Sequence, residues 1–431
     1  MKKLAFIALV FCFINSLAWA QSSIESKAST GSVYSKLGVG YPVSIANTSS
    51  RSSGLLGVSF NQNNVGNLAN PAHWGNTVYG LGAGGIGITS YHASSNNSSV
   101  TNLDFGVQQF QLQLPIIRGV LGISGSFAPV SETNYRNFDF KQQIVSRGTT
   151  QDTLQYAIEN EGSGGTNSAE LGIGWKINKN LSIGYAASAV FLSHNDKYVS
   201  NILTSGYNTV SYTYKTSGVG LGNRFGAHVR FPDLFSEGDQ LGLGVAVSLP
   251  VSISASQEKE SEEIIQTLDP IELGEGTIKL PMKVSGGLSY RPNNLIILAA
   301  EGLYQGWSDY RNDLEDLSQT GTSFVDRYKM GLGMQYLPYR SGSDKFLSKF
   351  KYRIGTSFDT GHLQIDNKNI STLKFSLGLG IRSPNSASSI DLSFEYGIRG
   401  TNSLNLIKEQ IWGMKLSVNL AEIMFFRPKL K

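Results

Sequence analysis

The chain has 431 residues, a formal net charge of +4, 48 glycines and 16% charged residues. Usual domains carry about 7% glycine and about a quarter charged residues, and no basic face here suggests nucleic acid. The single cysteine, Cys12, leaves no disulfide, thiolate metal site or cysteine nucleophile in the chain after it.

Met1 to Ala20 reads as a secretory signal. Lys2 and Lys3 form its charged start, Leu4 to Ile14 its apolar core, and Ala18-Trp19-Ala20 its cleavage site. The mature chain is expected to begin near Gln21. Residues 21–76 are rich in Ser, Asn and Gly and show little alternation. Leu55, Leu56, Val58, Phe60, Val65 and Leu68 within them want burial, which predicts an irregular segment held inside something larger.

From Val78 onward the chain reads as fourteen strands: 78–91, 102–115, 119–131, 168–177, 181–194, 208–231, 240–255, 277–291, 295–308, 325–338, 348–360, 371–382, 389–399 and 410–420. A bulge is expected near Gly218 or Gly220. The clearest signal is the hairpin from Leu373 to Arg399. Leu373, Phe375, Leu377, Leu379 and Ile381 alternate with Lys374, Ser376, Gly378, Gly380 and Arg382. After a turn-rich break, Ile390, Leu392, Phe394, Tyr396 and Ile398 alternate with Asp391, Ser393, Glu395, Gly397 and Arg399. Such alternation gives one apolar and one polar face.

Connections after even-numbered strands are short and those after odd-numbered strands mostly longer, such as 132–167 and 256–276. Outer-membrane barrels sort their periplasmic turns and extracellular loops this way. The expected fold is therefore an all-β transmembrane antiparallel barrel over 77–421, with a periplasmic tail at 422–431. About eight strands is the size whose own side chains fill the interior. A wider ring needs something in its lumen, and residues 21–76 are the expected plug.

Three stretches resemble the outer-membrane long-chain fatty-acid transporter family (FadL/TodX-like). Arg51 to Ala72, closing on Asn70-Pro71-Ala72, resembles its N-terminal hatch. Leu280-Pro281 through Trp307-Ser308 resembles its central hairpin, and Tyr328 to Tyr336 with Tyr352 to Gly355 the next strand pair. Two departures stand out: His73-Trp74 follow the Asn-Pro-Ala turn, and the chain runs past Phe425-Phe426 to Lys431. The resemblance implies a plugged barrel in the outer membrane of a Gram-negative-type bacterium. Lipid surrounds it, and a hydrophobic or amphipathic small molecule binds inside and leaves through a gap in the wall.

Glycine and proline weaken a ladder locally, so strand 119–131, with Gly119, Gly122, Gly125 and Pro129, is the candidate lateral gate. The same glycines also fit simple relief of crowding. Asn70, Pro71 and Ala72 are the candidate hatch site, though a structural turn alone fits them. Leu55, Leu56, Val58 and Phe60 line a pocket or anchor the plug. Neither cofactor nor metal is expected, because the five histidines show no ligand spacing. Gly80 to Gly85 matches a nucleotide fingerprint but continues as strand instead of opening a helix. No Gly-x-Ser-x-Gly elbow is present, so no enzyme is expected. The alternative function is a barrel of the same superfamily that binds secreted proteins as a secretion-system shuttle.

Overall fold

Side chains that alternate between apolar and polar specify strands with two unlike faces, and this pattern closes into a ring. The computed structural model describes residues 31–423, except 61, 63, 97, 148–149, 203–209, 263–269, 315–321, 339–345, 384–385 and 404–405. The expected signal, the start of the plug and the tail beyond 423 lie outside the described residues.

The strands are β1 (Gly80–Ser94), β2 (Ser99–Ile117), β3 (Leu121–Arg147), β4 (Thr150–Lys176), β5 (Leu181–Ile202) and β6 (Val210–Pro232). Next come β7 (Gln240–Ser248, continued by Val251–Glu262) and β8 (Ile271–Leu280, continued by Lys283–Asn293). The last six are β9 (Ile296–Gln305), β10 (Arg327–Tyr336), β11 (Phe350–Asp359), β12 (Thr372–Arg382), β13 (Ser389–Gly400) and β14 (Lys408–Glu422). Each pairs antiparallel with its sequence neighbour, and β14 returns to β1 from Gly80↔Glu422 to Ser94↔Lys408. The result is a closed fourteen-stranded barrel. β7 and β8 are each interrupted by a proline, Pro250 and Pro281, which cannot donate to the ladder.

The β12–β13 hairpin pairs as its alternation requires, with Leu377 opposite Phe394 and Ser376 opposite Glu395. Leu373, Phe375, Leu377 and Phe394 face outward and are exposed, while Ser376, Asp391, Glu395 and Arg399 face inward and are buried. An exposed apolar belt around a polar interior is what lipid outside and a filled lumen inside select.

Three expectations need correction. The stretch 256–276, read as a long connection, continues the β7–β8 ladder at 256–262 and 271–276, from Ser256↔Glu275 to Lys259↔Ile271. The stretch 132–167, read as a long loop, is the top of the β3–β4 hairpin, paired to Arg147↔Thr150. Each strand has 27 residues, whereas a membrane crossing takes about 9–11. Beyond the bilayer both faces of a sheet are wet, so alternation stops marking the strand. The bulge expected near Gly218 or Gly220 is also absent: both residues pair regularly with β5 and β7. A Cβ on Gly218 would lie 2.6 Å from the Ser254 carbonyl oxygen, so this glycine permits close approach of β7. A register shift does occur in β3, between Pro129 and Ser131.

That shift sits where β2 and β3 part. Their ladder runs from Ile117↔Leu121 only to Phe110↔Phe127. Above it β2 remains paired with β1, and β3 with β4. The freed edge of β3 is taken by the chain before the barrel. Tyr41 and Pro42 pair with Glu132 and Ser131, and Val43 N–H donates to the Val130 carbonyl at 2.8 Å. The described part of that pre-barrel segment, from residue 31 to β1, lies against inward-facing side chains of the wall and is largely buried.

Candidate functional site

The Asn70-Pro71-Ala72 turn forms one end of the pre-barrel segment. Proline suits the first position of a helix because its fixed φ and missing N–H cost nothing there. Pro71–Asn76 is a short 3-10 helix, and Asn70 caps it by accepting the Ala72 N–H at 3.0 Å. Asn70 Nδ2 donates to the carbonyls of Val58 (3.1 Å) and Ala227 (3.0 Å), tying the segment both to itself and to β6. The two residues that depart from the hatch pattern are both fully buried. Trp74 is 0% exposed and its indole donates to the Asn67 carbonyl at 2.8 Å. His73, also fully buried, sets Nε2 3.0 Å from the Val58 carbonyl and packs against His228 at 4.6 Å. Burial first, and His228 second, hold the His73 pKa well below its ordinary value, so its ring is neutral.

Glu301, on β9, fastens the middle of the segment. Its carboxylate accepts the N–H groups of Leu56 and Gly57 (both 2.7 Å) and the N–H and hydroxyl of Ser59. Charge-assisted bonds of this kind are the strong ones. Leu55 and Phe60 pack with Ala299, and Val58 packs with Ala69 and Ala246 beside the partly buried Leu56.

The four candidate gate residues separate. Gly119 takes φ +66° in the β2–β3 turn, a left-handed value that favours glycine. Gly122 seats the pre-barrel segment, since a Cβ there would lie 2.2 Å from the Trp74 carbonyl oxygen. Gly125 meets only Leu171 of β4. Pro129 alone stands at the parting of β2 and β3.

Behind that parting lies a cavity of about 120 Å³. Asp104 and Gln108 line it from β2, Glu132 and Asn134 from β3, and Tyr41, Ser44 and Arg51 from the pre-barrel segment. Asn134 Nδ2 reaches Asp104 Oδ1 across the parting at 2.9 Å. The far wall supplies Lys329, Lys374, Glu395 and Lys415, with Arg327 paired to Asp359 at 2.6 Å and Arg399 to Glu409 at 3.1 Å. Glu409 also holds the start of the described chain, accepting the Ser32 hydroxyl and the Val33 N–H at 2.9 Å. The Tyr34 hydroxyl donates to the Ile407 carbonyl, and burial pushes its pKa up to about 12. Among the described residues no group of three or more His, Cys, Asp or Glu side chains is placed to hold a metal ion.

Sequence reasoning singled out the Asn-Pro-Ala turn and the apolar residues before it, and the structure brings these together. It missed Glu301, Trp74 and the strand at Tyr41–Pro42. An acidic residue on an inward position of a strand was the available signal for Glu301.

A family model described as BamG matches residues 1–431. The chain belongs to the BamG family. No curated protein matches this BamG-family chain. Solved structures do. A Pseudomonas aeruginosa FadL homologue superposes with TM-score 0.58 at 12% identity, over 89% of this chain and 99% of that one. The Ralstonia pickettii toluene transporter TbuX gives 0.54 at 15%, over 86% and 97%. The P. putida toluene transporter TodX gives 0.53 at 13%, over 88% and 98%. The likeness expected from the sequence motifs thus holds for the fold, while the family that claims the chain is BamG.

Proposed function

We propose that this BamG-family protein is an outer-membrane barrel that admits an amphipathic molecule and passes it sideways through the wall between β2 and β3. The observation that carries the reading is the parting of those strands with a cavity directly behind it. Ionisable side chains ring the cavity, so the molecule is one with a polar or charged head, as a long-chain fatty acid has. Its head sits near Arg51, Lys374 and Lys415, and its tail stays in lipid, where each buried CH₂ is worth about 0.8 kcal/mol. A monoaromatic hydrocarbon channel and a toluene transporter among the structural neighbours support the hydrophobic part of this reading.

In the same reading residues 21–76, exported behind the signal at 1–20, plug the barrel of 77–421. Asn70, Pro71 and Ala72 fix one end of that plug, and Leu55, Leu56, Val58 and Phe60 anchor it. Of the candidate gate residues, Pro129 marks the exit. The periplasmic tail expected at 422–431 begins after Glu422, the last residue of β14.

The test uses the fact that Cys12 is the only cysteine. Asp104→Cys and Asn134→Cys, joined by a short reducible thiol-reactive linker, should block uptake of radiolabelled oleate into cells. Reduction should restore it. Undiminished uptake by the linked protein would sink the lateral route.

A second reading, a secretion-system barrel that binds proteins, is favoured by a different observation. The tall sheet of β3 to β6 exposes Phe138, Phe140 and Ile144 on β3, well past the length a membrane crossing needs. Co-purification of exported proteins by a barrel inactive in uptake would select it.

A further inference from the structure

The end of the barrel that carries the short connections holds a second cavity, of about 340 Å³. One water takes about 30 Å³ of liquid, so this is a vestibule with room for a ligand. Four cationic side chains line it: Arg230 of β6, Arg291 of β8, Lys351 of β11 and Arg382 of β12. No carboxylate stands among its described lining residues.

Among the described residues, two nearby acids, Asp239 and Asp391, are already engaged. Asp239 accepts the N–H groups of Leu234, Phe235 and Ser236 at 2.8–3.1 Å, and the Tyr290 hydroxyl at 3.2 Å. Asp391, the inward-facing carboxylate that attracts Lys351, meets Arg353 at 2.7 Å. Arg230 donates to the Asn76 side chain (3.3 Å) and the Lys179 carbonyl (3.0 Å), which are neutral groups. Among the described residues, Lys351 hydrogen-bonds Gln62 Oε1 alone, at 3.5 Å. Among the described residues, Arg291 and Arg382 form no ion pair. Four like charges converging on one space repel one another, and an occupant of opposite charge removes that cost.

We propose that this vestibule binds an acidic, extended peptide segment of another protein. The cations specify carboxylates. Gln240 and the carboxamide oxygen of Asn64, whose Nδ2 donates to the Ala387 carbonyl at 2.9 Å, add groups that pair with a peptide backbone, while Gln62 is held by Ser49, Gln335 and Lys351. Phe60 and Ile297 supply an apolar patch for a side chain between the charges. Phe60, Gln62 and Asn64 belong to the pre-barrel segment, so the occupant touches that segment and the wall together and braces one against the other. In an outer-membrane barrel this end faces the periplasm, and the segment belongs to a periplasmic partner.

The experiment uses the purified barrel in detergent and a fluorescently labelled peptide of alternating Glu and Val. Anisotropy should show saturable binding that weakens with salt. Arg291→Gln with Arg382→Gln should weaken it about tenfold or more, while Lys368→Gln, at the opposite end, should leave it unchanged. Heat-modifiable gel mobility checks that each variant is folded. Absence of saturable binding, or wild-type affinity in the double variant, overturns the proposal. Displacement of the peptide by an equal concentration of inorganic phosphate overturns the peptide assignment in favour of a small-anion site. None of these outcomes depends on the uptake reading, so a barrel that transports nothing can still pass.

Discussion

Glu301 Oε1 accepts both the backbone N–H of Ser59, at 2.8 Å, and its hydroxyl, at 2.7 Å. With Leu56 and Gly57 on the other oxygen, one buried carboxylate satisfies three backbone donors of a segment that has almost no regular structure to satisfy them. Glu301→Ala should therefore cost the docked segment on the order of 1–3 kcal/mol, the scale for buried donors left without their acceptor. Glu301→Gln should cost less, since it keeps the shape and part of the acceptor capacity. Tryptic cleavage after Arg51 reports the release. An Ala variant that resists trypsin as the wild type does would remove Glu301 from this role.

The wall glycines give a graded test. A Cβ on Gly122 would lie 2.2 Å from the Trp74 carbonyl oxygen, and one on Gly174 would lie 2.4 Å from the Gly75 nitrogen. Backbone cannot yield there, so Gly122→Ala and Gly174→Ala should each cost about 1–3 kcal/mol and raise single-channel conductance in planar bilayers. Gly125→Ala meets only the end of the Leu171 side chain, at 3.1 Å, and should behave as wild type. Equal conductance in all three would mean the segment does not close the lumen.

Acid should loosen the same segment. The pKa of His73 is depressed in the folded protein, so the unfolded segment binds the proton first. The stabilisation is present above the ordinary value of about 6.5 and is lost as pH falls from there toward the depressed value. Hydrogen exchange of the segment's amides, corrected for intrinsic rates, should accelerate relative to the barrel between pH 7 and pH 5. His73→Gln should flatten that dependence while weakening the segment at every pH. An unchanged profile in the variant would assign the pH response elsewhere.

The lipid-facing belt predicts an asymmetry along a single strand. Leu377 points outward on β12 and is 56% exposed, whereas its neighbour Ser376 is buried inside. Leu377→Arg should cost about 2–4 kcal/mol in folding into lipid vesicles, measured by urea titration. Lys368→Arg, in an exposed two-residue strand away from the barrel wall, should cost little. A tolerated Leu377→Arg would argue that β12 does not face lipid.

The barrel was legible because lipid outside and polar groups inside force strict alternation, as in Leu373 to Ile381. The upper halves of β3 and β4 were not, because water wets both their faces and Phe138 or Phe140 then reads as an isolated apolar residue in a loop. The turn at Asn70 was legible from local chemistry, since Asn and Pro specify a cap by themselves. The docking of Trp74 on Gly122 and of Ser59 on Glu301 was not. Each joins positions far apart in the chain, and one sequence carries no sign of which distant glycine makes room for which backbone. The parting of β2 from β3 was half legible: Pro129 and its glycines marked the strand, but nothing marked Tyr41–Pro42 as the piece that takes its edge.

The ring closes by joining its first strand to its last, Gly80 to Glu422. That pairing imposes an order on assembly. Loop-closure entropy must be met before so distant a contact is rewarded, so the β1–β14 seam forms late. The segment before β1 is wedged against nearly every strand inside the ring, with Gly184 under Pro71 and Gly355 under Ser53. It must already be within the curving sheet when the seam shuts. Supplied later as a separate peptide, it would meet a finished cylinder, and it serves best as the core around which the cylinder is wound.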